Sequence, residues 1–216
     1  MKDYRRREIA LAAGLSAIAG YVDAIGFLKL GGFFVSFMSG NSTRLGVGLA
    51  TAHWPTVRIA LALIGLFVGG VVLGALVARR VGEGRRSVIL ALEAALLAAS
   101  AGLFAAGFHP AGVVAMVLAM GAENAVFQRN GDVGVGLTYM TGALVKAGQR
   151  IAAALTGGDR WAWAPYALLW ASLSLGGALG AAAYLRFGVS ALWAVAGLLA
   201  VLAAVSLRGE RSAPSR

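Results

Sequence analysis

Five ionisable side chains fall inside otherwise apolar segments: Asp23, Arg44, Glu93, Glu123 and Lys146. An unpaired charge at the centre of a membrane costs roughly 2.5–3.5 kcal/mol on insertion scales, so each needs a partner or a function. Asp23 or Glu123 could titrate in proton-coupled transport, and Arg44 and Lys146 could bind an anion.

Structural roles are the alternatives. Arg44 could pair with Glu123 or Asp23, and Asp23 could accept backbone N–H bonds at a helix end. Lys146 could reach the interface, and Glu93 could pair with an arginine at 85 or 86.

Uncharged polar residues accompany these charges at two places in the sequence. Their hydroxyl and amide groups could line a polar pathway, or they could bond the preceding helical turn and only bend a helix. Gly40 and Gly142 stand beside the two groups and suit a break in a helix, which would free backbone groups for a solute. The predicted substrate-binding set is Asp23, Ser39, Asn41, Arg44, Glu123, Asn124, Thr141 and Lys146.

Other chemistries lack their residues. The chain has no cysteine, which excludes disulfides, thiolate metal sites and cysteine nucleophiles. His53 and His109 have no metal-ligand spacing, and the sequence contains no nucleophile elbow, zinc-protease motif or phosphate loop. We therefore expect no enzymatic activity, no metal and no cofactor.

The composition is that of an integral membrane protein. Hydrophobic residues make up 59% of the chain and charged residues 13%, against roughly 25% charged in soluble domains, and the mean hydropathy is +0.79. The net charge of +10 comes from short basic clusters between apolar runs, which is typical of topology signals and contacts with anionic lipid rather than nucleic acid. The expected partner is the lipid bilayer.

Eight apolar segments of about 20 residues each are predicted to be helices. They cover residues 9–28, 33–52, 57–78, 88–107, 111–129, 133–156, 162–185 and 188–207. If all eight crossed, the basic clusters at 2–7 and 79–86 would lie on opposite sides, against the positive-inside rule. The conflict disappears if segments 1 and 2 cross once together and segments 5 and 6 do the same, with one member of each pair broken or re-entrant. Six net crossings with both termini cytoplasmic result; eight full spans, four per half, are the alternative.

The opening motif recurs 102 residues later. "SFMSGNSTRLG" at 36–46 aligns with "TYMTGALVKAG" at 138–148, which places Arg44 over Lys146. The same shift aligns rows of small residues, which allow close helix approach in lipid and would suit a homodimer as well as packing within the chain. The chain is predicted to be a single membrane domain with repeats at 1–108 and 109–216. Three crossings per half would give the repeats inverted topology, as in many transporters.

These motifs also resemble a known family. The runs "GYVDA" at 20–24, "GG" at 31–32, "FV" at 34–35 and "MSGN" at 38–41, with "NA" at 124–125 and "TYMTG" at 138–142, are similar to the YoaK-like bacterial membrane proteins. The resemblance implies six spans in the inner membrane and brings no established substrate. Glu123 and Arg44 depart from the family pattern with opposite charges, which favours an ion pair between them.

The leading functional hypothesis is a transporter or channel for a small polar or anionic solute, with its site at the midplane between the halves. The competing hypothesis is a membrane scaffold or interaction protein, in which the polar layer only joins the two halves. A cavity that reaches the layer of Asn41 and Asn124 would favour transport, whereas a dry and fully paired layer would favour the scaffold.

Overall fold

The protein is built from α-helices. The computed structural model describes residues 6–81, 84–129, 132–133 and 140–211. These residues form α1 Arg6–Lys29, α2 Met38–Ala50, α3 Trp54–Val81, α4 Arg85–Ala105, α5 His109–Ala122, α6 Met140–Leu155, α7 Ala164–Phe187 and α8 Leu192–Arg211. Each predicted segment overlaps one helix, although several boundaries differ, so the all-α prediction is confirmed.

Three short elements interrupt the helices. The 3-10 turn Glu123–Ala125 continues α5, and the 3-10 turn Gly188–Ala191 leads into α8. A two-residue antiparallel strand pair, β1 Gln128–Arg129 and β2 Asp132–Val133, lies between α5 and α6. The predicted second segment began at 33, whereas α2 begins at Met38, and positions 134–139 of the predicted sixth segment lie outside the described residues.

Helix length separates the elements that could cross a membrane from those that are too short. Four stretches are long and apolar enough to do so, Glu8–Lys29, Trp54–Val81, Arg85–Ala105 and Ala164–Gly209, and the last of these contains both α7 and α8. By contrast, α2 has 13 residues. At 1.5 Å per residue it is about 20 Å long, well short of a hydrocarbon layer of about 30 Å.

The outer faces of the long helices are apolar. Large hydrophobic side chains are exposed along α3, α7 and α8; examples are Leu61, Val68, Val72, Leu76, Leu168, Leu175, Leu179, Val201 and Val205. Contiguous apolar surface of this extent is unusual in a soluble monomer and suits contact with lipid. The protein is therefore an integral membrane protein, as its composition predicts.

Two helix crossings are made at glycines, where the backbones come into contact. At the crossing of α1 and α7, Gly176 faces the carbonyl group of Ala17 and Gly180 faces that of Tyr21. A side chain at either glycine would collide with a carbonyl oxygen of the other helix. Without a hydrophobic effect between helices in lipid, such close backbone packing is a main source of helix association.

The second crossing joins α3 to α5 in the same way. Gly70 faces the carbonyl group of Leu118, and Gly121 faces that of Phe67. A Cβ atom at Gly74 would lie 2.7 Å from the carbonyl oxygen of Ala122. The small-residue rows predicted from the sequence are therefore packing surfaces within this chain.

Contacts at both ends show that α1 and α4 run in the same direction. Arg86 near the start of α4 forms a 3.8 Å ion pair with Glu8 near the start of α1. At the opposite end the Lys29 Nζ atom lies 5.5 Å from the centre of the Phe104 ring. The helix α5 then returns antiparallel to α4, because the Arg86 guanidinium lies 5.6 Å from the ring of Phe127, just beyond α5.

After α1 the chain turns back along that helix instead of continuing outward. Gly31 and Gly32 have positive φ angles of 63° and 95°, a conformation that side chains disfavour, and they end α1. The returning segment, residues 33–37, places the Phe34 ring 4.9 Å from that of Phe27. It leads to the half-buried Met38, the first residue of α2, and α2 then packs along α3.

Candidate functional site

A cavity of about 240 Å³ lies where α2 and α6 begin. Its described lining consists of Ser36, Phe37, Met38, Ser39, Phe67, Met140, Thr141 and Gly142. Seven of these residues belong to the two copies of the repeated motif, and the eighth, Phe67, comes from the middle of α3. The fold therefore brings the two motif copies together at one site.

The cavity faces the N-terminal end of α2. The first N–H groups of a helix have no partner inside the helix, and they carry a partial positive charge. Phe37, the residue before α2, makes no side-chain hydrogen bond that caps these groups. The helix α6 begins at Met140 on the other side of the same cavity. Two helix N-termini at one cavity favour a solute with acceptor oxygens or a negative charge.

Asp23 fixes the wall of the cavity by binding backbone groups. Its Oδ1 atom accepts hydrogen bonds from the backbone N–H groups of Val35, at 2.7 Å, and Ser36, at 2.8 Å. The structural alternative for Asp23 was a carboxylate that accepts backbone N–H bonds. Asp23 does accept such bonds, and the donors are residues 35–36, which follow the turn at Gly31 and Gly32. Its carboxylate positions Ser36, which lines the cavity.

Asn41 holds the same returning segment from the other side. The Phe34 backbone N–H donates to Asn41 Oδ1 at 3.0 Å, and Asn41 Nδ2 donates to the Phe34 carbonyl at 2.7 Å. The side chain is completely buried, at 0% exposure. Asn41 therefore satisfies two backbone groups that would otherwise be unpaired inside the protein.

Ser39 and Thr141 are the two predicted site residues that line the cavity. They occupy equivalent positions in the two motif copies, in the first turns of α2 and α6. Two neighbouring hydroxyls bond the preceding helical turn instead: Ser42 donates to the Met38 carbonyl and Thr43 to the Ser39 carbonyl. Thr138, the first residue of the second motif copy, lies outside the described residues.

The predicted ion pair between Arg44 and Glu123 is wrong. Arg44 is half-buried, and its guanidinium lies 4.9 Å from the centre of the Phe33 ring and against Gly32. Both carboxyl oxygens of Glu123 are buried without a hydrogen-bond partner. The physical reason lies in the orientation of α2. Because Asn41 binds Phe34, the α2 face that carries positions 41 and 44 lies against its own returning segment.

Lys146 is exposed on α6 and is not among the residues that line the cavity, and Arg44 is not among them either. Neither of these two basic side chains therefore contributes to the described lining of the cavity. Within the described residues no group of three or more His, Cys, Asp or Glu side chains could hold a metal ion.

Glu93 was predicted to pair with Arg85 or Arg86, and this prediction is also wrong. Its side chain is 0% exposed, and neither of its carboxyl oxygens has a hydrogen-bond partner. Glu123, 1% exposed, lies close enough that its charge acts on Glu93. A signal was available in the sequence. Both residues stand fifteen positions from Phe108, so an antiparallel α4–α5 hairpin places them at the same level.

Asn124 follows Glu123 in the 3-10 turn and is buried with it. Its Nδ2 atom donates to the carbonyl oxygens of Met120 and Gly121, both at 3.2 Å. Its Oδ1 atom has no hydrogen-bond partner. The predicted site thus separates into a cavity with its supports, an acidic interior cluster, and the two basic residues outside both.

The comparison with known proteins agrees with the motifs. The sequence profile of a family described as a protein of unknown function, DUF1275, matches residues 11–205. The chain belongs to this family. The resemblance to YoaK-like membrane proteins is therefore confirmed.

Two relatives carry names that refer to the membrane. The chain is 34% identical over 208 residues to UPF0700 transmembrane protein RA0705 of Rhizobium meliloti (strain 1021), across 94% of this chain and 90% of that protein. It is also 34% identical over 152 residues to UPF0700 transmembrane protein YoaK of Bacillus subtilis (strain 168), across 65% and 64% of the two chains. No solved structure gives a significant match.

Proposed function

We propose that the protein is a bacterial inner-membrane channel or transporter for a small polar or anionic solute, which binds in the cavity between α2 and α6. The observation that carries this proposal is the meeting of two short helices, through their N-terminal ends, at a cavity of about 240 Å³. Solute sites formed by the N-termini of discontinuous helices are a recurring feature of transporters.

The chemistry of the cavity favours acceptor groups on the solute. Helix N-termini attract negative charge and repel cations. The hydroxyls of Ser39 and Thr141 add donors that can also accept, so a neutral polar solute remains compatible. The described lining contains no carboxylate, imidazole or amine, and we therefore propose binding and passage rather than catalysis.

We further propose six net crossings with both termini cytoplasmic. The support is the ion pair between Glu8 and Arg86, because α1 and α4 then begin at the same membrane surface. Eight alternating spans would begin these two helices at opposite surfaces. Arg79 and Arg80 lie in the last turn of α3, near the start of α4. The positive-inside rule therefore assigns this membrane surface to the cytoplasm. The N-terminal cluster at 2–5 lies outside the described residues.

The same contacts support an inverted repeat of 1–108 and 109–216. A shift of 102 positions carries Gly74 of the α3–α5 crossing onto Gly176 of the α1–α7 crossing. Exchanging the halves therefore exchanges the two crossings. Corresponding helices also run in opposite directions, since α1 begins at the Arg86 end and α5 finishes there. Inverted halves of this kind place a shared site near the midplane.

Two observations favour the competing scaffold hypothesis. The described lining of the cavity contains neither Asn41 nor Asn124, the layer that the cavity was expected to reach in a transporter. The amide of Asn41 is fully occupied by the Phe34 backbone, as expected for a residue that only holds the structure together. Ser39 and Thr141 nevertheless line an open cavity, for which a scaffold has no need.

The direct test fills the cavity without disturbing the fold. A Cβ atom at Gly142 meets nothing within 4 Å, so Gly142→Leu should fold and place its side chain at the cavity. Gly148→Leu is the matched control, because it lies on α6, also meets nothing within 4 Å and does not line the cavity. Purified variants in liposomes would be assayed for flux of chloride, formate and acetate, and of urea as a neutral probe.

We expect flux of at least one probe in the wild type, a tenfold or greater loss in Gly142→Leu, and wild-type flux in Gly148→Leu. Equal flux in both variants would remove the cavity from the pathway. Absence of flux for every probe in folded wild-type protein would favour the scaffold.

A further inference from the structure

The cavity leaves one polar cluster unexplained, the buried carboxyl pair of Glu93 on α4 and Glu123 in the turn after α5. All four carboxyl oxygens are buried without a hydrogen-bond partner. Helix α4 packs directly against the 3-10 turn that carries Glu123, and the charge of Glu123 acts on Glu93. Two carboxylates that are both ionised here would combine desolvation with mutual repulsion.

No cation offsets this cost among the described residues. The charged or titratable side chains that the structure describes on the elements around the pair are Glu8, Tyr21, Asp23 and Lys29 on α1, Arg58, Arg79 and Arg80 on α3, Arg85 and Arg86 on α4, His109 on α5 and Arg208 on α8. Neither carboxyl accepts a hydrogen bond from any of them. Arg86, the nearest in sequence, binds Glu8 and the Phe127 ring instead, roughly 10 Å along α4 from Glu93.

Asn124 adds a further oxygen to this cluster. Its amide nitrogen donates to Met120 and Gly121, which directs the nitrogen toward the α5 backbone. The remaining Oδ1 atom is buried and has no partner. On α4 and the 3-10 turn, five oxygens are therefore buried without a described donor: four from the two carboxyl groups and one from Asn124.

We propose that Glu93 and Glu123 form a proton-binding pair that holds at least one exchangeable proton between its two carboxyl groups. A proton is the smallest species that removes the repulsion, and it needs no coordination shell. Asn124 Oδ1 supplies an acceptor for the O–H group of a protonated carboxyl. The pair belongs to the wall between two helices rather than to the lining of the solute cavity.

The pair is connected to that cavity through one helix crossing. Gly121, two residues before Glu123, packs against the backbone of Phe67. Phe67 lies on α3 and lines the cavity. A change in charge at the pair therefore acts on the crossing that shapes the cavity wall. If the proposed transport function holds, on which this consequence rests, solute flux should depend on pH through the pair.

The experiment is infrared spectroscopy of the full-length protein in liposomes over a pH series, which detects the carbonyl stretch of protonated carboxyl groups directly. In the wild type we expect a protonated-carboxyl band at neutral pH that shifts in deuterated buffer and disappears as the pH rises, in one step if the pair shares a single proton at neutral pH and in two steps if both carboxyls are protonated there. Interacting sites titrate in such macroscopic steps. The Glu93→Gln and Glu123→Gln variants should each retain a band that disappears in one step, and the double variant should lack it.

Each of the other outcomes overturns the proposal. If the wild-type protein shows no such band at neutral pH, both carboxyls are ionised. If the double variant keeps the band, the band comes from other residues. If sodium ions abolish the band at constant pH, the pair binds a metal cation instead of a proton. The wild-type titration and the sodium measurement need no substitution, so they decide the matter even if a variant fails to fold.

The spectra also separate this proposal from the transport function. A titrating band without flux of any probe would establish the proton pair and remove transport. Flux without the band would establish transport and remove the proton pair. When both are present, we expect the pH dependence of flux to fall at least threefold in the double variant, with Glu8→Gln as a control carboxyl at the membrane surface.

Discussion

The returning segment before α2 and the acidic interior beside α5 both place carboxyl groups in an apolar protein, but with opposite outcomes. Asp23 is bound by the backbone N–H groups of Val35 and Ser36, and nearby Asn41 is bound twice by Phe34. Glu93 and Glu123 have no hydrogen-bond partner at any carboxyl oxygen. Polar groups in the first region maintain a backbone shape, whereas those in the second remain available to bind a proton.

This difference predicts opposite responses of stability to the loss of a polar side chain. Removing a group that satisfies buried backbone should destabilise the protein, because the backbone partners are left unpaired. Removing a buried group without partners should cost little or stabilise the protein. Three substitutions test this contrast, and all can be compared by thermal unfolding in the same detergent, with tryptophan fluorescence as the signal.

The largest effect is expected for Asn41→Leu. The change leaves the N–H and C=O groups of Phe34 buried without partners, and each unsatisfied group costs about 1–3 kcal/mol. We expect a loss of about 2–4 kcal/mol in the free energy of unfolding, together with loss of flux as the cavity wall moves. A stability within experimental error of the wild type would show that the returning segment does not depend on this amide.

Asp23→Asn should have an intermediate effect. The amide oxygen of asparagine can still accept the N–H groups of Val35 and Ser36, but without the charge that strengthens such bonds. The expected loss is about 1 kcal/mol. Asp23→Leu, which removes the acceptor entirely, should destabilise the protein further, and the reverse order of these two variants would contradict the assigned role.

The smallest effect is expected for Glu93→Leu. Leucine fills a similar volume and removes a buried carboxyl that has no partner, so the free energy of unfolding should stay equal to the wild-type value or rise. The infrared band of the carboxyl pair should change in the same protein. A destabilisation as large as that of Asn41→Leu would mean that Glu93 has a structural partner.

The sequence predicted the elements of this fold better than their orientation. The eight apolar runs and the small-residue rows identify helices and their packing surfaces, because length, hydropathy and glycine spacing are local properties. The described lining of the cavity includes Ser39 and Thr141, one from each motif copy. Which face of α2 each side chain occupies depends on the bond from Asn41 to Phe34, and no local pattern encodes it.

The two wrong pairings have the same cause. Opposite charges at Arg44 and Glu123 suggested an ion pair, and the arginines at 85 and 86 suggested a partner for Glu93. Both inferences used charge and ignored which helices intervene. In the structure Arg44 lies against Phe33, while Glu93 and Glu123 meet because α4 and α5 form a hairpin. Counting residues from the hairpin turn is the sequence signal that would have paired the two glutamates.

The crossings at Gly176 and Gly121 have a consequence for how the protein is made. Helix α1 reaches its partner α7 only after about 150 further residues have been synthesised, which takes roughly 10–30 s at 5–20 residues per second. During that interval the backbone of α1 at Ala17 and Tyr21 lacks the α7 glycines that pack against it in the folded protein. A nascent chain stalled before residue 164 should therefore be inserted but not yet folded, and an accessory factor that shields small-residue helix faces would act on this intermediate.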